Sequence, residues 1–174
     1  MPPLMPQLRA TLTLLVLLGA ATSQLGCGDE IGDECSLSTD CSTQGDRICD
    51  ISSPNGYCTI IGCDFDTCPE ESVCVRFFSV ASSNRACDPR QEDVDAEHDE
   101  CTADEFCTLS GTCVPRTAEI RYCMKTCGGN DDCRDGYECR DEELMQEHGG
   151  EPVPPPGEAV SQDPQAFCAA APLE

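Results

Sequence analysis

Sulfur dominates the chemistry open to this chain. Seventeen cysteines stand among 174 residues, and a thiol can ligate a metal, act as a nucleophile, accept a covalent group or pair with a second thiol. Structural zinc favours cysteines roughly two to four residues apart, with histidine partners. The sequence has no C-x-x-C; Cys123 and Cys127 are the tightest pair, Cys58, Cys63 and Cys68 follow at wider spacing, and His98 and His148 lie in acidic polar segments. Zinc is therefore not expected. Calcium is better placed but weak. Asp131, Asp135 and Glu142 take the first, fifth and twelfth positions of an EF-hand-like frame with Gly136 at the sixth, yet Cys133 occupies a ligand position. An acidic loop pinned by Cys133 and Cys139 is the plainer reading. No G-x-S-x-G elbow, H-E-x-x-H, P-loop or dinucleotide fingerprint occurs. The many carboxylates lack a sizeable core that would desolvate one and move its pKa. The expectation is a non-catalytic protein without a cofactor, in which most thiols form disulfides.

An odd cysteine count leaves at least one outside any intramolecular bridge, and Cys27, eight residues before the next, is the natural candidate. The segment ahead of it fixes the compartment. Arg9 and the amino terminus supply a weakly basic start, an apolar stretch runs from Thr11 to Thr22, and small residues follow. That stretch is shorter than the roughly 20 apolar residues a spanning helix needs, and the tripartite order is that of a secretory signal. Residues 1–26 are read as the signal and 27–32 as a tether. Removing the signal leaves nine basic and 33 acidic side chains, a formal charge of −24. Such a surplus excludes nucleic-acid binding, which needs Lys and Arg against phosphates.

The residues Gln24-Leu25-Gly26-Cys27 resemble the lipobox of bacterial lipoproteins. The resemblance implies a diacylglyceryl group on the Cys27 thiol, cleavage just before it and acylation of the new amine with a fatty chain such as palmitate. The family prefers Leu three positions before the cysteine, where Gln24 stands, and a small or β-branched residue two before, where Leu25 stands. The alternative is ordinary cleavage after Ala21-Thr22-Ser23, leaving Cys27 free or bridged to another molecule. Two or more acyl chains hold a protein on a bilayer without a basic patch. Gly28 after the cysteine, by analogy with enterobacterial sorting, points to the outer membrane, on its periplasmic or its outer face.

The other sixteen cysteines divide into two sets of eight. Cys35, Cys41, Cys49, Cys58, Cys63, Cys68, Cys74 and Cys87 form the first; Cys101, Cys107, Cys113, Cys123, Cys127, Cys133, Cys139 and Cys168 form the second. Offsets of 66 and 65 relate them, and flanking residues recur: Asp33-Glu34-Cys35 as Asp99-Glu100-Cys101, and Tyr57-Cys58 as Tyr122-Cys123. A fixed period signals duplicated units. The reading is two tandem eight-cysteine modules, 33–87 and 99–168, of short β-hairpins and loops with little helix. Residues 88–98 form an acidic linker and 169–174 a tail. Connectivity stays open, since eight cysteines allow on the order of a hundred pairings.

Short β-rich pieces are expected at Tyr57 to Ile61 and Val73 to Phe78, between turn-forming runs. The second module carries a Pro-rich acidic insertion, 141–167. Within it Asp141 to His148 suits a turn or two of helix stopped by Gly149-Gly150, and Pro152 to Pro156 suits polyproline; the insertion reads as a mobile surface loop. With Gly26-Cys27-Gly28, Gly56-Tyr57-Cys58 and Cys68-Pro69-Glu70-Glu71-Ser72-Val73-Cys74-Val75, the modules resemble the EGF-like and related domains of myxobacterial lipoproteins. The resemblance implies a surface protein and names no ligand. The function expected is a membrane-anchored interaction or structural module of the cell envelope, binding a protein or envelope polymer. Phe77, Phe78 and Tyr137 are candidate contacts that could equally fill a small core. A secreted or tethered regulator such as a protease inhibitor, or a weak calcium-binding module, is the alternative.

Overall fold

The computed structural model describes residues 30–79, 85–92, 97, 99–161 and 163–172. The signal, Cys27 and His98 lie outside them. In chain order the elements are α1 (Ser38–Cys41), β1 (Ile48–Cys49), β2 (Cys58–Thr59), β3 (Ser72–Phe78), β4 (Glu105–Cys107), β5 (Cys113–Pro115), β6 (Glu119–Lys125), β7 (Tyr137–Arg140), α2 (Glu142–His148), β8 (Glu151–Pro152) and β9 (Phe167–Ala170). The chain is a small disulfide-rich fold: short antiparallel ladders, little helix and eight bridges. No helix among the described residues is long and apolar enough to cross a membrane.

The bridges follow one rule four times. Cys35–Cys49 and Cys41–Cys58 form the first crossed unit, Cys63–Cys74 and Cys68–Cys123 the second, Cys87–Cys107 and Cys101–Cys113 the third, and Cys127–Cys139 and Cys133–Cys168 the fourth. In each, the first cysteine joins the third and the second joins the fourth. The third and fourth always face each other across an antiparallel ladder: Cys49 opposite Cys58, Cys74 opposite Cys123, Cys107 opposite Cys113, and Cys139 opposite Cys168. The backbone ladder thus sets the two acceptor sulfurs side by side, and each draws in one cysteine from the preceding loop.

This arrangement revises the two-module reading. All sixteen cysteines pair, but Cys68–Cys123 and Cys87–Cys107 join one expected set to the other. The third unit is inserted whole between Cys74 and Cys123 of the second. Cys87 opens that unit rather than closing the one before, because its N–H donates to the Gly111 carbonyl and Ala86 bridges Thr112, which seats it on the β4–β5 hairpin. The match of Tyr57-Cys58 to Tyr122-Cys123 joins equivalent positions, the fourth of two units. The match of Cys35 to Cys101 is one place out of step.

At the centre lies a three-stranded sheet in the order β6-β3-β8. Alternation along β3 and β6 puts Val73, Val75 and Phe77 opposite Met124, Tyr122 and Ile120 on one face. Against it pack Ile31, Met145, Val153, Val160 and Phe167. The insertion therefore forms part of the core and is not a mobile loop: Met145 of α2 is 1% exposed, and β8 pairs with β3. The helix forms where expected. The Asp141 side chain accepts from the Leu144 N–H as N-cap, and Gly149, at φ +78°, ends it. Downstream of β8, Val153 remains in the core, so only part of the Pro-rich run faces solvent.

The acidic linker is likewise tied down at Glu92, which is 5% exposed and accepts from the Cys101 and Glu100 amides at 2.6 and 3.1 Å. On the central sheet, Arg76 of β3 faces Glu151 of β8 in register. Both are buried, with nitrogen–oxygen distances of 2.5 and 2.7 Å. The second Glu151 oxygen accepts from the Leu109 amide at 2.6 Å, and the Arg76 guanidinium lies 4.5 Å from the Phe106 ring centroid. One ion pair thus fastens the inserted unit to the core.

Candidate binding cleft

Tyr57 follows Gly56, whose φ of +69° and lack of a side chain are both required. A Cβ there would stand 2.1 Å from the Cys35 carbonyl oxygen and 2.9 Å from each sulfur of the Cys35–Cys49 bridge. The tight turn drives the Tyr57 ring inward, where it is 2% exposed. Its hydroxyl donates to the Cys168 carbonyl and accepts from the Lys125 amide, tying the first unit to the fourth and to β6. Tyr137 stacks on it at 5.4 Å, and the Arg134 guanidinium lies 4.2 Å from the Tyr137 centroid. Burial pushes the Tyr57 hydroxyl well above the usual tyrosine range, and pushes those of Tyr137 and Tyr122 upward too.

Where the first unit meets the central sheet, a cleft of about 300 Å³ opens. Tyr57, Phe77, Tyr122 and Met124 supply apolar lining, and Asp50, Ser52, Ser53 and Arg140 supply polar lining. Phe77 and Tyr122 meet edge to face at 6.1 Å. The Asp50 carboxylate accepts from both Ser52 groups and from the Ser53 hydroxyl, so the turn holds it fixed. Arg140 is spent on structure: it pairs with Glu138 at 2.8 Å and donates to the carbonyls of His148, Gly149 and Ala170. It thereby caps the end of α2 and clamps it to β9.

Comparison of the chain with known protein families, curated proteins and solved structures finds no match. The site has to be read from its own geometry.

Of the residues singled out in the sequence, Phe77 lines the cleft, half-buried. Phe78 lies on the other face of β3, 6.3 Å from Phe106. Tyr137 is a core residue, 8% exposed. The calcium candidates are not gathered. Asp131 is in a short 3-10 turn, Asp135 is exposed, and Glu142 pairs with Arg90 at 2.5 Å. Among the described residues, the compact groups of potential metal ligands are cysteine clusters already consumed by the crossed bridges, one of them with Glu92 added, and none contains this trio. His148 contacts Glu138 at 2.7 Å. The sequence signal that could have found the cleft is the run Asp50-Ile51-Ser52-Ser53, where an isoleucine stands inside a turn that has no use for it.

Proposed function

We propose that this chain is a non-catalytic interaction module of the cell envelope, tethered to a membrane by lipid on Cys27. Eight disulfides belong to an oxidising, extracytoplasmic compartment, and that much is a property of the fold. The tether rests on one observation. The eight bridges use sixteen cysteines and the chain has seventeen, so Cys27 has no cysteine partner left within the chain. A small residue precedes it and an apolar export segment stands before that, as lipidation requires.

The binding role draws on how the ionisable groups are used. Glu151, Arg76, Arg140 and Glu92 are buried, and each is engaged in hydrogen bonds or ion pairs that hold elements together. A stapled frame of this kind presents side chains at low entropic cost to a partner. Radiolabelled palmitate fed to cells making the full chain tests the tether. Label should follow the protein into the membrane fraction and vanish in Cys27→Ser. An unlabelled wild-type protein, or an intact mass with an unmodified Gln24 start, overturns it.

A further inference from the structure

Three of the large apolar side chains that face solvent adjoin cleft-lining residues in sequence or across a ladder. Ile51, 78% exposed, sits between Asp50 and Ser52 of the lining; Ile61, 54% exposed, bridges Tyr122; and Ile120, 40% exposed, pairs with Phe77. Each is thus one residue or one ladder pairing away from the cleft lining, which places apolar side chains in solvent around an apolar cleft. The cleft volume, about 300 Å³, sits at the small end of ligand pockets, suited to one large side chain rather than a cofactor.

Charge says what the side chain belongs to. The full chain carries 33 acids against ten bases, for a net charge of −23. Every arginine among the described residues is held by an internal partner, six of them by carboxylates. Six arginines thus use their charge on carboxylates of the fold, and acids still outnumber bases by 23. At the cleft the Asp50 carboxylate, fixed by Ser52 and Ser53, shares the lining with the apolar walls. We infer that the cleft binds a basic polypeptide segment, which inserts one aromatic side chain against Phe77 and Tyr122 and sets a flanking Lys or Arg against Asp50. This inference rests on the interaction-module reading and gives it a partner class.

The chain has no tryptophan, so a tryptophan in a probe peptide reports alone. The probe is acetyl-Lys-Trp-Lys-amide, with acetyl-Glu-Trp-Glu-amide as its charge-reversed control, added to the oxidised, unlabelled protein. The lysine probe should show a saturable blue shift that weakens as salt is raised to about 1 M, where the Debye length falls to about 3 Å. Tyr122→Ala should cost about tenfold or more in Kd, the scale of a hot-spot truncation. Ile51→Lys, at a solvent-facing position that folding does not need, should repel the probe to a similar extent. Leu37→Lys, on an exposed residue outside the cleft, should leave binding unchanged. Equal binding of both probes overturns the inference, as does no shift with either. Binding that ignores both Tyr122→Ala and Ile51→Lys does the same. None of these results touches the module reading, which falls separately if palmitate labelling fails and in-cell crosslinking captures no partner.

Discussion

Replacing the Cys68–Cys123 bridge by alanines probes how the two halves of the chain depend on each other. This bridge closes a loop of 55 residues, against 11 for its crossed companion Cys63–Cys74. With the other seven bridges intact the long loop is effectively shorter, because Cys87–Cys107 short-circuits 20 of its residues and leaves 35. Loop-closure entropy then assigns about 4 kcal/mol to Cys68–Cys123 and about 3 kcal/mol to Cys63–Cys74. Cys74 and Cys123 are alike at 3% and 0% exposed, while Cys63 at 6% is more buried than the half-buried Cys68. The packing loss is therefore no greater for Cys68–Cys123, and loop closure, at about 1 kcal/mol, is what sets that pair apart. Urea unfolding without reductant, followed by circular dichroism, measures both. A single cooperative transition should persist in wild type, with Cys68→Ala/Cys123→Ala the less stable variant. If that variant proves equal to or more stable than Cys63→Ala/Cys74→Ala, loop closure does not dominate the contribution of Cys68–Cys123 and the reasoning fails. Two separate wild-type transitions would show independent modules and refute the interlocked core.

Glu151→Leu strands the Arg76 charge in the core and should cost about 3 to 5 kcal/mol; adding Arg76→Met should recover part of it, the remainder being the orphaned Leu109 amide, as read by the same urea titration. Gly56→Ala puts a methyl group into the Cys35–Cys49 bridge, so oxidative refolding should leave free thiols countable by alkylation and mass spectrometry. Tyrosinate absorbance should appear only above the ordinary pKa of about 10 for all three tyrosines, with Tyr57 last. A phenol whose folded pKa is raised contributes stability that is whole below the unfolded pKa, so stability should hold to about pH 10 and be lost as pH rises further, less so in Tyr57→Phe. At the acid end, amide hydrogen bonds lower Asp40, hydroxyl hydrogen bonds from Ser42 and Thr102 lower Asp46 and Asp104, and Thr102 lowers Glu105. Their contributions stand above the ordinary carboxylate pKa near 4 and should fade as pH drops below it.

Much of this architecture was readable from residue types alone. Sulfur count and parity gave the pairing of sixteen cysteines, because bridge formation depends on stoichiometry and compartment rather than on packing. Helix α2 was legible since Asp141 and Gly149 are local signals at fixed offsets. The insertion was misread for a physical reason: its polar, Pro-rich composition hides Met145, Val153 and Val160, spaced too widely to show either helical or strand periodicity. The domain boundary was misread because Cys87 and Cys123 take their partners through long-range ladders, which no local spacing encodes. The cleft was hidden for the same cause: Tyr57 and Tyr122 are 65 residues apart in sequence and come to one cleft only through the folded backbone.

The first-to-third, second-to-fourth rule has a bearing on biogenesis. No native bridge joins cysteines that are neighbours in the sequence. A chain crossing a membrane from its amino end meets the oxidant one thiol at a time, so each newly arrived sulfur has the preceding one as its nearest mate. Linking them in order of arrival would give a set with no correct member. Cys68 must moreover wait for its mate while an entire unit threads past. A thiol-exchange catalyst able to undo early bonds should therefore raise the yield of native protein, and an export host that can oxidise but cannot reshuffle should accumulate scrambled material.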